Sequence, residues 1–196
     1  IVVGGGFAGV GAAIKLKEAG IEDFILLEKA HEMGGVWREN TYPGCACDVP
    51  SALYSYSFAP NPVWSRVFAE QKEIKQYLFD VVEHYDVMPH VRLNCEALKA
   101  QWCDVENCWI IQTAQGELRS QFAILACGPM HEPVLPKVKG IEDFKGEIFH
   151  SSQWRHDLDL TGKRVAVIGT GASAVQFVPQ IQPLVENLTI FQRTAQ

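Results

Sequence analysis

The sequence IVVGGGFAG, residues 1–9, decides the fold of this chain. Its three apolar residues predict a β-strand, and the glycines that follow form a GxGxxG motif of Gly4, Gly6 and Gly9. Apolar residues at helical spacing come next, which predicts that a helix begins directly after the glycine turn. Glu28 stands 19 residues after Gly9, at the end of the next apolar run. Strand, glycine turn, helix, strand and acid in this order predict a Rossmann-like dinucleotide-binding unit.

Each part of this motif has a physical reason. Gly4 permits the tight turn, Gly6 lets the backbone approach a pyrophosphate, and Gly9 lets the helix pack closely on the strand. Free N–H groups at the helix start bind phosphates, and the Glu28 carboxylate accepts hydrogen bonds from ribose hydroxyls. The predicted contacts here are Gly4, Gly5, Gly6, Phe7, Ala8, Gly9, Glu28 and Lys29.

A second motif, GTGASA at residues 169–174, also stands between a predicted strand, Arg164–Ile168, and a predicted helix. The strand that follows is predicted to end at Arg193, 19 residues after the motif. A guanidinium at this position binds a 2′-phosphate, which favours NADP over NAD. The alternative is a surface arginine at a strand end, which is plausible for Arg193 alone but less so at this spacing. The predicted contacts are Gly169, Thr170, Gly171, Ala172, Ser173, Ala174, Arg193 and Thr194.

Two dinucleotide motifs in one chain imply two cofactors, typically FAD first and a nicotinamide second. A disulfide reductase with this organisation would need a redox cysteine pair. Cys45 and Cys47 have only one residue between them, so that alternative is disfavoured.

Composition narrows the protein class. The chain has 196 residues, of which 47% are hydrophobic and 20% charged, as is typical of globular domains. Its net charge of −6 argues against a nucleic-acid partner, and no apolar run is long enough to span a membrane. The six cysteines form no CxxC pair and have no histidine at zinc-ligand spacing, so we expect no metal site and reduced thiols in a cytoplasmic protein. Nothing in the composition indicates an oligomeric state.

The predicted fold class is α/β, with two Rossmann-like dinucleotide-binding units and an antiparallel β-meander inserted in the first. Residues 30–62 form a predicted long loop, and an amphipathic helix carrying Ile74 and Leu78 follows it. Predicted domains are an FAD-binding domain over 1–128, a linker over 129–160, and the start of an NADP-binding domain over 161–196. The chain begins inside one predicted strand and ends just after another, so we expect it to be part of a longer protein.

Two further stretches match family signatures. Residues 34–48 run GGVWRENTYPGCACD and fit [A/G]GxWxxxx[F/Y]P[G/M]xxxD through Asp48. Residues 144–154 run FKGEIFHSSQW and fit FxGxxxHxxxW. Together with the two glycine motifs, they resemble the Baeyer–Villiger monooxygenase family of flavoproteins. The FxGxxxHxxxW fingerprint usually continues with Pro or Asp, whereas this chain has Arg155. Its four fixed positions are Phe144, Gly146, His150 and Trp154.

The resemblance implies an FAD- and NADPH-dependent enzyme that uses O2, through a C4a-peroxyflavin, to insert one oxygen atom beside a ketone carbonyl, giving an ester or lactone. It implies that Asp48 is a catalytic-site acid that pairs with an arginine from later in the chain. From the residues alone, a turn-capping aspartate before Pro50 is the likelier alternative. The fingerprint residues are expected to form a domain joint, with His150 structural rather than a base. Further cofactor contacts implied are Gly35, Val36, Trp37, Asp48 and Tyr54 around FAD, with Ala97 as a weaker contact to its adenine, and Ala46 and Cys47 in a loop at the nicotinamide side.

Two alternatives to a Baeyer–Villiger monooxygenase stay open. One is an N- or S-oxygenating flavin monooxygenase, although these related enzymes typically carry an aromatic residue other than tryptophan at the position of Trp154. A third interpretation is that these 196 residues alone are a catalytically silent nucleotide-binding fragment that binds FAD weakly.

Overall fold

The computed structural model describes residues 1–194 and divides the chain into two compact units. Each unit contains one of the two glycine motifs. Unit 1 comprises Ile1–Arg38, Tyr56–Pro60 and Ile74–His131, and unit 2 comprises Glu39–Ser55, Asn61–Glu73 and the chain from Glu132 on.

Helices and strands alternate at both ends of the chain. The α-helices are α1 Phe7–Glu18, α2 Val36–Glu39, α3 Gln71–His84 and α4 Ala172–Ile181. The strands are β1 Val2–Val3, β2 Leu26–Leu27, β3 Val91–Arg92, β4 Ala97–Cys103, β5 Cys108–Thr113, β6 Gly116–Ser120, β7 Ile124–Leu125, β8 Arg164–Ile168 and β9 Asn187–Phe191. Short 3₁₀ helices span Ser51–Leu53, Met88–His90, Ile141–Asp143 and Ser151–Gln153.

A four-stranded parallel sheet forms the centre of unit 1, in the order β3-β2-β1-β7. Val2 pairs with Leu26 on one side and with Ile124 on the other. The predicted return of the apolar run at 122–126 to the parallel sheet is therefore confirmed. Strand β3 was not predicted, because two residues of mixed polarity carry no periodicity.

Helix α1 packs on this sheet through Val10, Ala13 and Ile14, which are fully buried. The three positions recur at helical spacing, so one apolar stripe faces the sheet. The helix ends where Gly20 follows it, and the Gly20 N–H donates to Lys17 O. The predicted strand, glycine turn, helix and strand are thus confirmed.

Helix α3 buries the apolar stripe that its sequence predicts. The residues of this stripe are each at most 7% exposed: Ile74, Tyr77, Leu78, Val81 and Val82.

The predicted meander is confirmed as the antiparallel sheet β4-β5-β6. Ile111 on β5 is fully buried and packs with Leu27 and Cys95, which joins the meander to the core of unit 1. A register shift between Ala97 and Lys99 marks a bulge at the start of β4.

Unit 2 contains the second strand–turn–helix–strand sequence. Strands β8 and β9 pair in parallel, and α4 lies between them in the chain. Phe177 and Ile181 bury one side of α4. Together with unit 1, this confirms the predicted α/β class with two Rossmann-like units and an inserted meander. The predicted boundaries of the cofactor-binding domains stay predictions, and the last two residues of the range 161–196 lie outside the described residues.

Two sequence predictions were wrong in detail. The segment 30–62 is not one unbroken loop, because α2 and a 3₁₀ helix at Ser51–Leu53 form within it. The last strand ends at Phe191 rather than at Arg193, so Arg193 lies just beyond the strand.

Candidate functional site

The first glycine turn, between β1 and α1, is closely packed at its first and third glycines. Gly4 has a φ of +110°, and a Cβ there would lie 2.4 Å from Ala126 O. A Cβ on Gly9 would lie 1.8 Å from Gly4 O. No side chain fits at either position, because the obstructing atoms are backbone. The roles predicted for these two glycines, a tight turn and close helix packing, agree with this geometry.

The Glu28 carboxylate lies under the same turn. It is 4% exposed, and its Oε2 accepts a hydrogen bond from Gly5 N at 2.7 Å. Its Oε1 accepts from Ala30 N and from Arg38 Nη1, both at 2.9 Å. The acid predicted to bind ribose is therefore held in one orientation by three donors from the protein.

The first half of the signature segment 34–48 folds back onto the glycine turn. Gly34 N donates to Gly5 O at 2.9 Å, and a Cβ on Gly35 would lie 3.0 Å from Gly6 Cα. Trp37, on α2, is buried. Two stretches separated by about 25 residues of sequence thus meet in unit 1 at a distance that leaves very little space for a Cβ.

Phe7 starts α1 and joins an aromatic cluster. Its ring lies 5.3 Å from the ring of Tyr56 and 6.0 Å from that of Tyr77. Tyr56 also donates its hydroxyl proton to Phe7 O. These contacts hold the start of α1, where the backbone N–H groups of a helix have no intrahelical acceptor and can bind an anion.

The other residues predicted at the first cofactor divide between the two units. In unit 1, Ala8 and Lys29 are exposed, Val36 begins α2, and Ala97 begins β4 beside the bulge. The remaining four belong to unit 2: Ala46, Cys47, Asp48 and Tyr54.

The second glycine turn, between β8 and α4, resembles the first. Gly169 N donates to Phe191 O at 2.9 Å, which brings the turn beside the carboxyl end of β9. Gly171 is the extended residue before α4, and Ala172, Ser173 and Ala174 form its first turn with their N–H groups directed beyond the helix.

Three further residues belong to this second turn. Thr170 lies in the turn itself, and Arg193 and Thr194 lie just beyond β9, both exposed. The sheet edge that receives the adenosine end of a dinucleotide in this fold therefore carries a cation.

In unit 2, the second half of the signature segment lies on α4. Gly44 has a φ of +75°, and a Cβ there would lie 2.8 Å from Gln176 O. The Tyr42 hydroxyl donates to Gln176 Oε1 at 2.8 Å, and burial raises the pKa of Tyr42 to about 12. Burial also raises the pKa of the Cys45 and Cys47 thiols.

Asp48 follows this buried stretch and is itself exposed. Within residues 1–194 its carboxylate forms no ion pair with an arginine. The predicted arginine partner of Asp48 therefore stays a prediction.

The fingerprint residues have local roles within unit 2. His150 caps the 3₁₀ helix at Ser151–Gln153, because its Nδ1 accepts from Ser152 N at 3.2 Å. Phe144 is exposed, and its ring would block a Cβ on Gly146 at 2.5 Å. Trp154 packs on Phe177 of α4, with ring centroids 5.2 Å apart.

Arg155, the departure from the fingerprint, forms two ion pairs. Its Nη2 lies 2.7 Å from Asp157 Oδ2, and its Nη1 lies 3.2 Å from Glu147 Oε2. The hydrogen bonds from Arg155 lower the pKa of Asp157 to about 2. A surface ion-pair network therefore stands where the fingerprint usually has Pro or Asp.

Sequence reasoning missed two residues, Arg38 and Gln176. Arg38 neutralises the buried Glu28 and also donates to Glu32 O at 2.9 Å. Gln176 holds the segment around Gly44. Neither has a sequence signal, because each acts on a partner that only the fold brings close.

The described residues contain neither a cluster of possible metal ligands nor a helix that could span a membrane. Among residues 1–194, no group of three His, Cys, Asp or Glu side chains could hold a metal ion. None of the helices in this range has the length and apolarity needed to cross a membrane.

Comparison with known proteins gives concordant matches. A "Baeyer-Villiger monooxygenase" of Streptomyces coelicolor is 51% identical over 193 residues, covering 98% of this chain and 37% of that protein. A crystal structure of cyclohexanone monooxygenase with bound epsilon-caprolactone has a TM-score of 0.90 at 35% identity, covering 100% of this chain and 39% of that one. The OTEMO complex with FAD and NADP has a TM-score of 0.89 at 36% identity, covering 98% and 38% of the two chains.

The chain thus spans about 37% of the length of the first curated relatives that it matches. The predicted resemblance to Baeyer–Villiger monooxygenases is confirmed by these relatives. The strand, glycine turn and helix of each unit also fit a broader family, whose model is described as "Pyridine nucleotide-disulphide oxidoreductase" and matches residues 1–196. The chain belongs to this pyridine nucleotide-disulphide oxidoreductase family.

Proposed function

We propose that the whole protein is an FAD- and NADPH-dependent monooxygenase of the Baeyer–Villiger type. It inserts one oxygen atom of O2 beside the carbonyl of a small-molecule ketone and releases an ester or a lactone. Unit 1 binds FAD at its glycine turn, and unit 2 binds NADPH at its own.

The observation that carries this proposal concerns the second glycine of each motif. A Cβ on Gly6 would have its nearest contact at an ordinary 3.5 Å, and a Cβ on Gly171 would meet no described atom within 4 Å. Packing within the protein therefore does not require glycine at either position. A pyrophosphate lying against the backbone does require it, because a methyl group there would occupy the ligand's space.

Two charged groups support the assignment of the cofactors. Within the described residues, Glu28 Oε2 accepts one hydrogen bond, from Gly5 N, so a second acceptor position remains for a ribose hydroxyl. Arg193 is exposed just past the end of β9, where a guanidinium can bind the 2′-phosphate of NADP. A carboxylate would repel that phosphate, which explains why unit 1 has Glu28 where unit 2 has Arg193.

The cysteines argue against disulfide chemistry despite the family's name. Cys45 and Cys47 are buried, and burial raises the pKa of both thiols. A nucleophilic redox cysteine needs the opposite shift, because the thiolate is the reactive form.

The residues of this chain bind the two cofactors, orient them and neutralise their negative charge. Bound NADPH and FAD would supply the redox chemistry, a hydride and then electrons for O2, while the residues of this chain would hold them. The N–H groups at the starts of α1 and α4 bind the two pyrophosphates, because the helix dipole favours negative charge there. Asp48 holds an arginine side chain from another part of the whole protein, and that cation stabilises negative charge as oxygen is transferred.

The remaining predicted contacts stay proposals. Each is proposed to contact the cofactor bound in its unit or to support that contact: Lys29, Val36, Trp37, Ala46, Cys47, Tyr54, Ala97, Thr170 and Thr194.

Two matched variants of the full-length protein test the cofactor assignment. Gly6→Ala should weaken FAD binding by at least about tenfold, because it places a methyl group against the pyrophosphate. Gly171→Ala should weaken NADP⁺ binding by a similar factor and leave bound flavin unchanged. Each variant controls for the other, and flavin absorbance with NADP⁺ titration measures both. If Gly171→Ala binds NADP⁺ as the wild type does, the assignment of unit 2 is wrong.

Product analysis tests the reaction. The full-length protein, given NADPH, O2 and a cyclic ketone, should release the corresponding lactone. An amine substrate tested in parallel distinguishes the alternative, since formation of an N-oxide without any lactone would identify an N-oxygenating enzyme.

A further inference from the structure

The three residues Cys45–Cys47 form a short extended segment in unit 2. Gln71 N donates to Cys45 O at 2.9 Å, and Cys47 N donates to Ala69 O at 2.8 Å. These bonds make an antiparallel bridge between Ala46 and Glu70. In an extended chain, the N–H and C=O groups of successive residues point to opposite sides. The N–H and C=O groups of Ala46 therefore point away from residues 69–71, to the other edge of the segment.

One side chain of α4 satisfies that opposite edge. Gln176 Nε2 donates to Ala46 O at 2.9 Å, and Gln176 Oε1 accepts from Ala46 N at 3.3 Å. The same Oε1 accepts from the Tyr42 hydroxyl at 2.8 Å. Gln176 therefore acts as a third strand would, because it supplies both a donor and an acceptor to an edge that no other residue within 1–194 pairs.

Close packing adds to these hydrogen bonds. Gly44 lies against α4 with space for no side chain, since a Cβ there would be 2.8 Å from Gln176 O and 2.9 Å from Gln180 Cγ. The Tyr42 ring lies 6.1 Å from that of Phe177, edge to face. The tyrosine and the glycine of the Tyr-Pro-Gly part of the signature are thus explained by packing on α4.

We propose that Gln176 is a positioning residue that fixes the backbone directly before Asp48. Two edges of the segment are held, one by residues 69–71 and the other by Gln176, and Asp48 follows with no intervening residue. This inference rests on the proposed function for its catalytic consequence: Gln176 keeps Asp48 where it can hold its arginine partner. Gln176 itself contacts no reacting atom in this proposal.

The direct test is hydrogen–deuterium exchange of the full-length protein, which needs no catalytic activity. Gln176→Met keeps the length of the side chain and removes all three hydrogen bonds. Exchange of the amides at 46–48 should become about tenfold faster, which corresponds to the loss of one or two net hydrogen bonds. Gln182→Met is the matched control, because Gln182 is exposed at the end of the same helix and its variant should exchange as the wild type does.

The catalytic readout separates positioning from nucleotide binding. In Gln176→Met, ester formed per NADPH consumed should fall about tenfold, while the Kd for NADP⁺ should change by less than about twofold. If the wild-type protein forms no ester, the proposed function fails alone, and faster exchange in Gln176→Met still supports the positioning role. Unchanged exchange at 46–48 would overturn the role of Gln176 whatever the reaction.

Two milder variants keep the test decisive if Gln176→Met does not fold. Gln176→Glu retains the acceptor for Tyr42 and Ala46 N and loses only the donor to Ala46 O. Tyr42→Phe removes only the hydroxyl contact. Each should accelerate exchange at 46–48 by less than Gln176→Met does, and no acceleration in either would contradict the proposal.

Discussion

Replacing Arg38 with methionine should destabilise unit 1 strongly, because it leaves the Glu28 carboxylate buried without its cation. The two side chains are 10% and 5% exposed, and Arg38 Nη1 lies 2.9 Å from Glu28 Oε1. Methionine keeps an unbranched apolar chain and removes the charge and the hydrogen bonds.

The structure sets the size of this effect. At a separation of 2.9 Å and an effective dielectric constant of 20, the attraction between two unit charges is about 6 kcal/mol. Breaking a buried pair by removing one partner typically costs about 3–5 kcal/mol, because an uncompensated charge stays behind. Gly5 N and Ala30 N continue to donate to the same carboxylate, which offsets part of the loss. We therefore expect the free energy of unfolding to fall by about 3 kcal/mol.

A double-mutant cycle in urea measures this term. The wild type, Arg38→Met, Glu28→Gln and the double variant give the coupling energy, which should exceed about 1.5 kcal/mol. Arg66→Met is the matched control, since Arg66 lies 2.8 Å from Glu70 but both side chains are more than half exposed. Its effect should stay below about 0.5 kcal/mol, because solvent screens exposed pairs. If Arg38→Met costs no more than Arg66→Met, burial does not make the Glu28–Arg38 pair more important for stability than an exposed pair.

Three other predictions follow from packing and from shifted pKa values. Replacing Arg155 with glutamine should let the pKa of Asp157 rise from about 2 toward its ordinary 3.8, as followed by carboxyl-carbon NMR. The stability that this low pKa contributes is present above pH 3.8 and is lost as the pH falls through 2. An unchanged titration of Asp157 would contradict the role of Arg155. The pKa of Tyr42 lies at about 12, so its contribution to stability is complete below pH 10 and declines as the pH rises to 12; Tyr42→Phe should abolish that decline in alkaline unfolding curves. Gly9→Ala places a Cβ 1.8 Å from Gly4 O and should reduce the free energy of unfolding by several kcal/mol, roughly the cost of severe overpacking, whereas the sterically open Gly171→Ala should melt as the wild type does.

Local patterns account for what the sequence could predict. The glycine turn after β1 needs residues with no Cβ within a span of six, so the motif itself carries the information. Helix α3 and the meander β4-β5-β6 were predictable for the same reason, because 3.6-residue and two-residue periodicities are visible within one element. In each case the pattern that predicts an element lies within that element or directly beside it.

Contacts between distant parts of the chain could not be predicted. Arg38 stands in a polar stretch, and only the fold brings it onto Glu28 in a site that excludes water. Gln176 is one of several glutamines, and its importance arises from the edge of Ala46, 130 residues away. Strand β3 exists because β2 offers it a parallel partner, not because its own two residues favour a strand.

The signature at residues 34–48 joins two separate packing requirements in one stretch of sequence. Its first part belongs to unit 1, where Gly35 must approach Gly6 at the first nucleotide turn. Its second part belongs to unit 2, where Gly44 must approach α4, the helix that the second nucleotide turn begins. Neither approach leaves space for a bulky side chain, because a Cβ on Gly35 would lie 3.0 Å from Gly6 Cα and one on Gly44 would lie 2.8 Å from Gln176 O. Asp48 follows at the end of the signature, directly after the backbone that Gln176 holds in unit 2.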